Sequence, residues 1–153
     1  MKFKENVEKE LKRTQNMLER SRTANNLRDQ VSRAYYACYH AMLAALWLSG
    51  EDLGISKYKT SHVDAMTRYK IRYSRTKKNN ISLERDVYNS AREWINLRNA
   101  ADYDIFTDDY EHFKEEITKN KLRHMYKFVD EHIKYIENKL NSKDLSVSGI
   151  NSF

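Results

Sequence analysis

The feature that most limits this chain is what it lacks: among 153 residues there is no proline, and there are only three glycines. Without proline no helix is broken from within, and with so little glycine few positions can take the positive φ of tight hairpin turns. Long helices are the solution that remains, so an all-α fold is predicted. The length suits one domain around a single core. That domain is expected to span residues 1–142, followed by a disordered tail at 143–153, where serine and asparagine replace the apolar stripe.

Apolar residues at helical spacing mark about five helices. Phe3, Val7, Leu11 and Leu18 form the stripe of an amphipathic first helix. Around Ala24 to Asn26 two asparagines favour a turn or a cap, because their side chains compete with the helical backbone. From about Leu27 to Leu48 almost no wet face is left: Val31, Ala34, Tyr35, Ala37, Cys38 and the run Ala41 to Leu46 predict the most buried helix, which Gly50 stops. Thr60 or Ser61 then caps a short third helix with Val63 and Met66 inward. Ser82 is the expected cap of a fourth helix bearing Leu83, Val87, Ala91, Trp94 and Ala101. Thr107 or Asp108 opens a long last helix with Phe113, Ile117, Met125, Val129, Ile133, Ile136 and Leu140 on one side.

The formal charge of +6 draws polyanions such as RNA, DNA or an anionic membrane, although an excess of lysine also arises from base composition alone. Position therefore matters more than the total. Arg68, Lys70, Arg72, Arg75, Lys77 and Lys78 form a basic loop interleaved with Tyr69 and Tyr73, a pattern suited to holding phosphates on cations while bases stack on tyrosine. Cys38 is the single cysteine, which excludes a disulfide framework and a cysteine zinc site and points to a reducing compartment. The N-terminus alternates charged and apolar residues instead of forming a signal-peptide core, and the longest apolar run, Ala41 to Leu48, is too short to span a bilayer. A cytoplasmic protein with no membrane partner is expected.

Some residues do not fit a plain bundle. Asp29, Arg33, Tyr36 and His40 follow one another at intervals of four, three and four on the second helix and so share a face. Taken alone, such a stripe is more often a polar edge facing solvent or another subunit than the wall of a pocket. On the fourth helix Arg98 lies four residues beyond Trp94 on the core-facing stripe, where a buried guanidinium needs a partner. Asp102, four residues further on, can supply it as an ordinary ion pair within the helix. His62, His112, His124 and His132 lack metal-ligand spacing, so no metal is expected. No glycine-rich phosphate loop and no Gly-x-Ser-x-Gly elbow occurs, and no cofactor is expected.

The stretch SRAYYACYHAMLAALWLSG, Ser32 to Gly50, resembles the second-helix signature of small bacterial and archaeal HEPN proteins. RNAADYD, Arg98 to Asp104, is similar to the Arg-x-x-Ala-Asp-Tyr motif of that group, and Thr60-Ser61-His62 matches a further family feature. The resemblance covers roughly residues 5–140 at the level of architecture, while specific identities are confined to those stretches. It implies an up-and-down helical bundle that forms a homodimer, with Arg98, Asp102 and Tyr103 lining a polar groove. Helical phase adds Arg33, Tyr36 and His40 to the same groove, an inference from these residues rather than from the family.

One departure bears on activity. Ribonuclease members of the wider HEPN group carry an arginine followed four to six residues later by a histidine, and here Asp102 and Tyr103 stand in that interval. Metal-independent RNA cleavage needs a base for the ribose 2′-hydroxyl and a cation for the phosphate. Arg98 is the candidate cation and His40 the candidate base. The functional expectation is an HEPN-type RNA- or nucleotide-binding protein, with a ribonuclease toxin or phage-defence role as its enzymatic form. The alternatives are a non-catalytic partner of a minimal nucleotidyltransferase, in which Tyr103 accepts a nucleotidyl group, and a purely structural dimerisation module.

Overall fold

In the computed structural model the described residues are 2–50, 65–69, 93–99 and 115–142, with side chains described from Lys4 in the first stretch and from Thr118 in the last. They form an all-α bundle of three long helices, α1 (Lys2–Arg22), α2 (Leu27–Leu48) and α3 (Glu115–Leu140), with helical segments at 65–69 and 93–99. Among the described residues no strand occurs. The expected caps Ser82, Thr107 and Asp108, the Thr60–His62 feature and the tail 143–153 lie outside the described residues.

The first two helices form an antiparallel hairpin. Asn26 closes the turn in extended backbone, φ −138° and ψ 160°, and its side-chain oxygen accepts from the Asp29 N–H at 2.8 Å. This is the asparagine cap that the sequence anticipates, and it satisfies one of the amide groups left open at a helix start. At the far end of α2 the Gly50 N–H bonds the Trp47 carbonyl at 3.0 Å, and Gly50 takes φ 85°. A Cβ would resist that left-handed turn, which is why glycine ends the helix here.

α2 packs against both α1 and α3, and α1 also meets α3. Its buried residues run from Val31 through Ala34, Tyr35, Ala37 and Cys38 to the continuous stretch Ala41–Leu48, while Ser32, Arg33, Tyr36, Tyr39 and His40 stay half-buried along one side. The Cys38 thiol donates to the Met125 carbonyl across the α2–α3 contact at 3.7 Å, and burial pushes its pKa well up, so it serves the core. α1 contributes Val7, Leu11 and Leu18, and α3 contributes Leu122, Met125, Phe128, Val129 and Ile136.

The stripe of α1 is less apolar than its spacing suggests, because Glu10, Thr14 and Ser21 are also buried. Each has partners, as a buried polar group must. The Thr14 hydroxyl donates to the Glu10 carbonyl at 2.7 Å. Ser21 donates to the Gln30 carbonyl at 2.6 Å, which leaves the Tyr126 hydroxyl to donate to Ser21 at 2.7 Å. One serine thus joins α1, α2 and α3.

Candidate functional site

The helical segment 93–99 is anchored by Trp94 and Leu97, both buried, and the Trp94 ring meets Phe128 of α3 edge-on with centroids 5.3 Å apart. One turn beyond Trp94, this anchoring carries Arg98 to α2. Its guanidinium carbon lies 5.2 Å from the centre of the Tyr35 ring and 5.6 Å from that of Tyr36. The two rings are themselves perpendicular neighbours, 5.7 Å apart at 74°. Two aromatic quadrupoles therefore hold one cation, an interaction that strengthens as water is excluded. Burial raises the Tyr35 pKa and the Arg98 charge partly opposes that rise, so the guanidinium is felt at the phenol itself.

His40 is tied to α1. Its Nδ1 lies 2.7 Å from Glu10 Oε2, while Glu10 Oε1 accepts from Arg13 Nη1 at 2.8 Å. The Glu10 side chain is 9% exposed and that of His40 21% exposed, while Arg13 reaches solvent. The result is a chain of Arg13, Glu10 and His40 running from the surface of α1 into the α1–α2 seam. A carboxylate that already accepts from arginine is an acceptor only, so the His40 ring must be the donor at Nδ1. The neighbouring Tyr39 ring lies 5.4 Å from His40, and its pKa is raised first by burial and then by the Glu10 charge.

The rest of the polar stripe on α2 divides by partner. Asp29 belongs to the helix start, where Asn26 Nδ2 also donates to its carboxylate at 3.1 Å. Arg33 Nη1 donates to the Arg20 carbonyl in the last turn of α1 at 3.4 Å, which supplies an open carbonyl with a cation. Tyr36 alone of the four meets Arg98. The expected gathering is thus realised for Tyr36 with Arg98, whereas Arg33 and His40 turn to α1. Asp102 and Tyr103, expected beside Arg98, lie outside the described residues.

Of the basic segment, Arg68 is described and is partly exposed, while Lys70, Arg72, Arg75, Lys77 and Lys78, together with Tyr73, lie outside the described residues. Tyr69 requires a correction. Expected to stack on bases, it is 1% exposed and its hydroxyl bonds His132 Nε2 inside the bundle. The other ring nitrogen, Nδ1, is 2.7 Å from the Phe128 carbonyl, which can only accept, so Nδ1 carries the proton and Nε2 receives the Tyr69 O–H. The Phe128 ring stacks on His132 at 4.0 Å. Tyr69 faces inward because it continues the spacing of Ala65 and Met66, both buried, and its basic neighbours do not alter that phase.

Glu10, Arg13 and Tyr35 are the participants that the sequence reading passes over. The available signal for Glu10 is its position three residues after Val7 and beside Leu11, a carboxylate set on a core stripe. Among the described residues no group of three histidine, cysteine, aspartate or glutamate side chains comes together to hold a metal ion, and no helix is long and apolar enough to cross a membrane. No family model, no curated protein and no solved structure matches this chain.

Proposed function

We propose that the chain is an RNA-binding protein of the HEPN type in which Arg98 is the cation that meets the phosphate backbone. The observation that carries this reading is the Arg98 guanidinium held over Tyr35 and Tyr36 of the most buried helix. A long cationic side chain loses rotamer freedom when it grips an anion, and a guanidinium already fixed on two rings has met part of that cost before the ligand arrives. The overall charge of +6 adds long-range attraction for the same class of ligand.

The test is fluorescence anisotropy with a labelled single-stranded RNA over a salt series, comparing the native protein with Arg98→Ala and Arg98→Lys. The Ala variant is expected to bind at least roughly tenfold more weakly at physiological ionic strength, with a shallower salt dependence, as for the loss of a phosphate contact. The Lys variant keeps the charge but loses the planar fork and should fall between the two. Equal affinity of all three proteins, with their helicity intact by circular dichroism, would remove Arg98 from the binding surface and the reading with it.

A second reading, metal-independent cleavage of the bound RNA, is favoured by a separate observation. His40 is the one histidine among the described residues paired with a carboxylate from another helix.

A further inference from the structure

The Arg13–Glu10–His40 chain is not explained by anion binding. It places a carboxylate, 9% exposed, in the seam between two helices, where an apolar residue would satisfy the stripe of α1. Its geometry is that of an oriented imidazole. Glu10 Oε2 accepts from Nδ1 at 2.7 Å, and the second oxygen is fixed by Arg13 at 2.8 Å. The carboxylate cannot rotate away without losing the arginine. With the proton held at Nδ1, the lone pair of the neutral ring belongs to Nε2, the nitrogen outside that bond. Tyr36, which carries Arg98 over its ring, lies four residues before His40, so the ring that holds the cation and the candidate base share one side of α2, about 6 Å apart along its axis.

We propose that Glu10 is the positioning residue of a general base, His40, in an endoribonuclease that cuts by internal transfer and therefore takes RNA and not DNA; this rests on the cleavage reading above. His40 Nε2 removes the proton of a ribose 2′-hydroxyl. The freed electron pair forms the bond from O2′ to phosphorus as the bond from phosphorus to O5′ breaks, while Arg98 balances the charge on the phosphate oxygens. The departing oxygen takes a proton from water, and His40 returns its own to solvent. The products are a 2′,3′-cyclic phosphate and a 5′-hydroxyl, and no metal or oxidant enters the balance. Glu10 acts only through His40: it holds the tautomer that leaves Nε2 unprotonated and stabilises the imidazolium formed in the step. Among the described residues the charged and titratable groups that meet this pair are Arg13 from α1 and Tyr39 from α2.

The experiment pairs anisotropy with metal-free cleavage, run with chelator on an RNA oligonucleotide and on its all-deoxy counterpart, for native protein, His40→Ala, Glu10→Gln and Glu10→Asp. A glutamine can donate as well as accept, so it releases the tautomer that glutamate imposes. Glu10→Gln is expected to lower kcat by roughly 10²-fold while KM stays near its native value, with partial recovery in Glu10→Asp. The DNA strand should remain intact. Nitrogen-15 spectra of the neutral His40 ring in the native protein should report its proton on Nδ1 and the lone pair on Nε2, a measurement that needs no variant to fold. A native protein that binds RNA without cutting it overturns this inference and leaves the binding reading standing. One that does neither overturns both. Native cleavage with an unchanged kcat in Glu10→Gln, or a neutral His40 ring whose one proton sits on Nε2, removes Glu10 from its role while cleavage itself survives.

Discussion

His132 makes the stability of this bundle depend on acidity in a way that can be worked out in advance. The ring is 1% exposed, bonds the Tyr69 hydroxyl through Nε2 and the Phe128 carbonyl through Nδ1, and burial lowers its pKa from the ordinary 6.5 to about 4. Nothing in that pocket welcomes a second proton, because Nε2 is already receiving one from Tyr69. Between these two values the unfolded chain takes up a proton that the native chain refuses, so stability is complete above 6.5 and is lost as the pH falls towards 4. At about 1.4 kcal/mol for each pH unit the full loss comes to about 3 kcal/mol, and about 2 kcal/mol of it has gone by about pH 5. That is a large part of the ~5–15 kcal/mol that holds a domain together. Urea unfolding followed by circular dichroism, at about pH 7 and about pH 5, measures it against His132→Gln, whose amide can still donate to Phe128 and accept from Tyr69 without titrating. The native protein should lose about 2 kcal/mol more than the variant over that interval. Equal losses would refute the argument, because carboxylates and the other histidines are common to both proteins.

Two further outcomes are expected. Burial raises the pKa of Tyr35, Tyr39, Tyr69, Tyr126 and Tyr135, so in an alkaline titration followed by tyrosinate absorbance these five of the eleven tyrosines should lag behind the ordinary value of 10 and ionise as the chain unfolds; a single ordinary transition for all eleven would contradict the packing. The double variant Glu10→Met with His40→Leu replaces a partly buried carboxylate–imidazole hydrogen bond with apolar groups and should melt within about 1 kcal/mol of the native protein or above it, since desolvation offsets much of the attraction in such pairs, whereas Glu10→Met alone leaves His40 without its acceptor and should be the less stable of the two.

What can be read from the sequence here is what local chemistry decides. The limits of α2 follow from an asparagine before its first turn and a glycine after its last, and the burial of Cys38 follows from its place among Ala34, Tyr35, Ala37, Ala41 and Met42 on the apolar side of that helix. Tyr69 shows the opposite case: a basic neighbourhood suggested a surface role, but spacing from Ala65 and Met66 sets which way a helical side chain faces, and charge next to it in sequence does not. Thr14 and Ser21 escape a binary pattern for a different reason. A polar residue is tolerated inside only if something across the seam completes its bonds, and Ser21 finds Gln30 and Tyr126 on two other helices. Arg98 is a cation that the sequence marks as needing a partner, and Asp102, the partner near in sequence, lies outside the described residues. The rings of Tyr35 and Tyr36 belong to a different helix, and only the docking of segment 93–99 by Trp94 and Leu97 brings them under the guanidinium.

The polar stripe on α2 then has to be judged by what each member would cost to replace. Asp29 and Arg33 serve helix ends, and such contacts are worth on the order of 1 kcal/mol wherever they occur. Glu10 and His40 are different, because a carboxylate taken out of water and paired with an imidazole gains little net stability over two apolar side chains of similar size. A helix hairpin that needed only to be stable could keep leucine or methionine at both positions and lose nothing. Register does not require the pair either, since Ser21 already pins α1 to α2 through Gln30 and to α3 through Tyr126, with Arg22 and Asp130 adding an exposed pair at 2.8 Å. What stability and register leave unexplained is the orientation: one oxygen locked by Arg13, the other on Nδ1, and the ring still partly open to solvent. An imidazole held in one tautomer is of use to a reaction that takes a proton, and it is on that reaction, rather than on the melting temperature, that the loss of Glu10 should register most strongly.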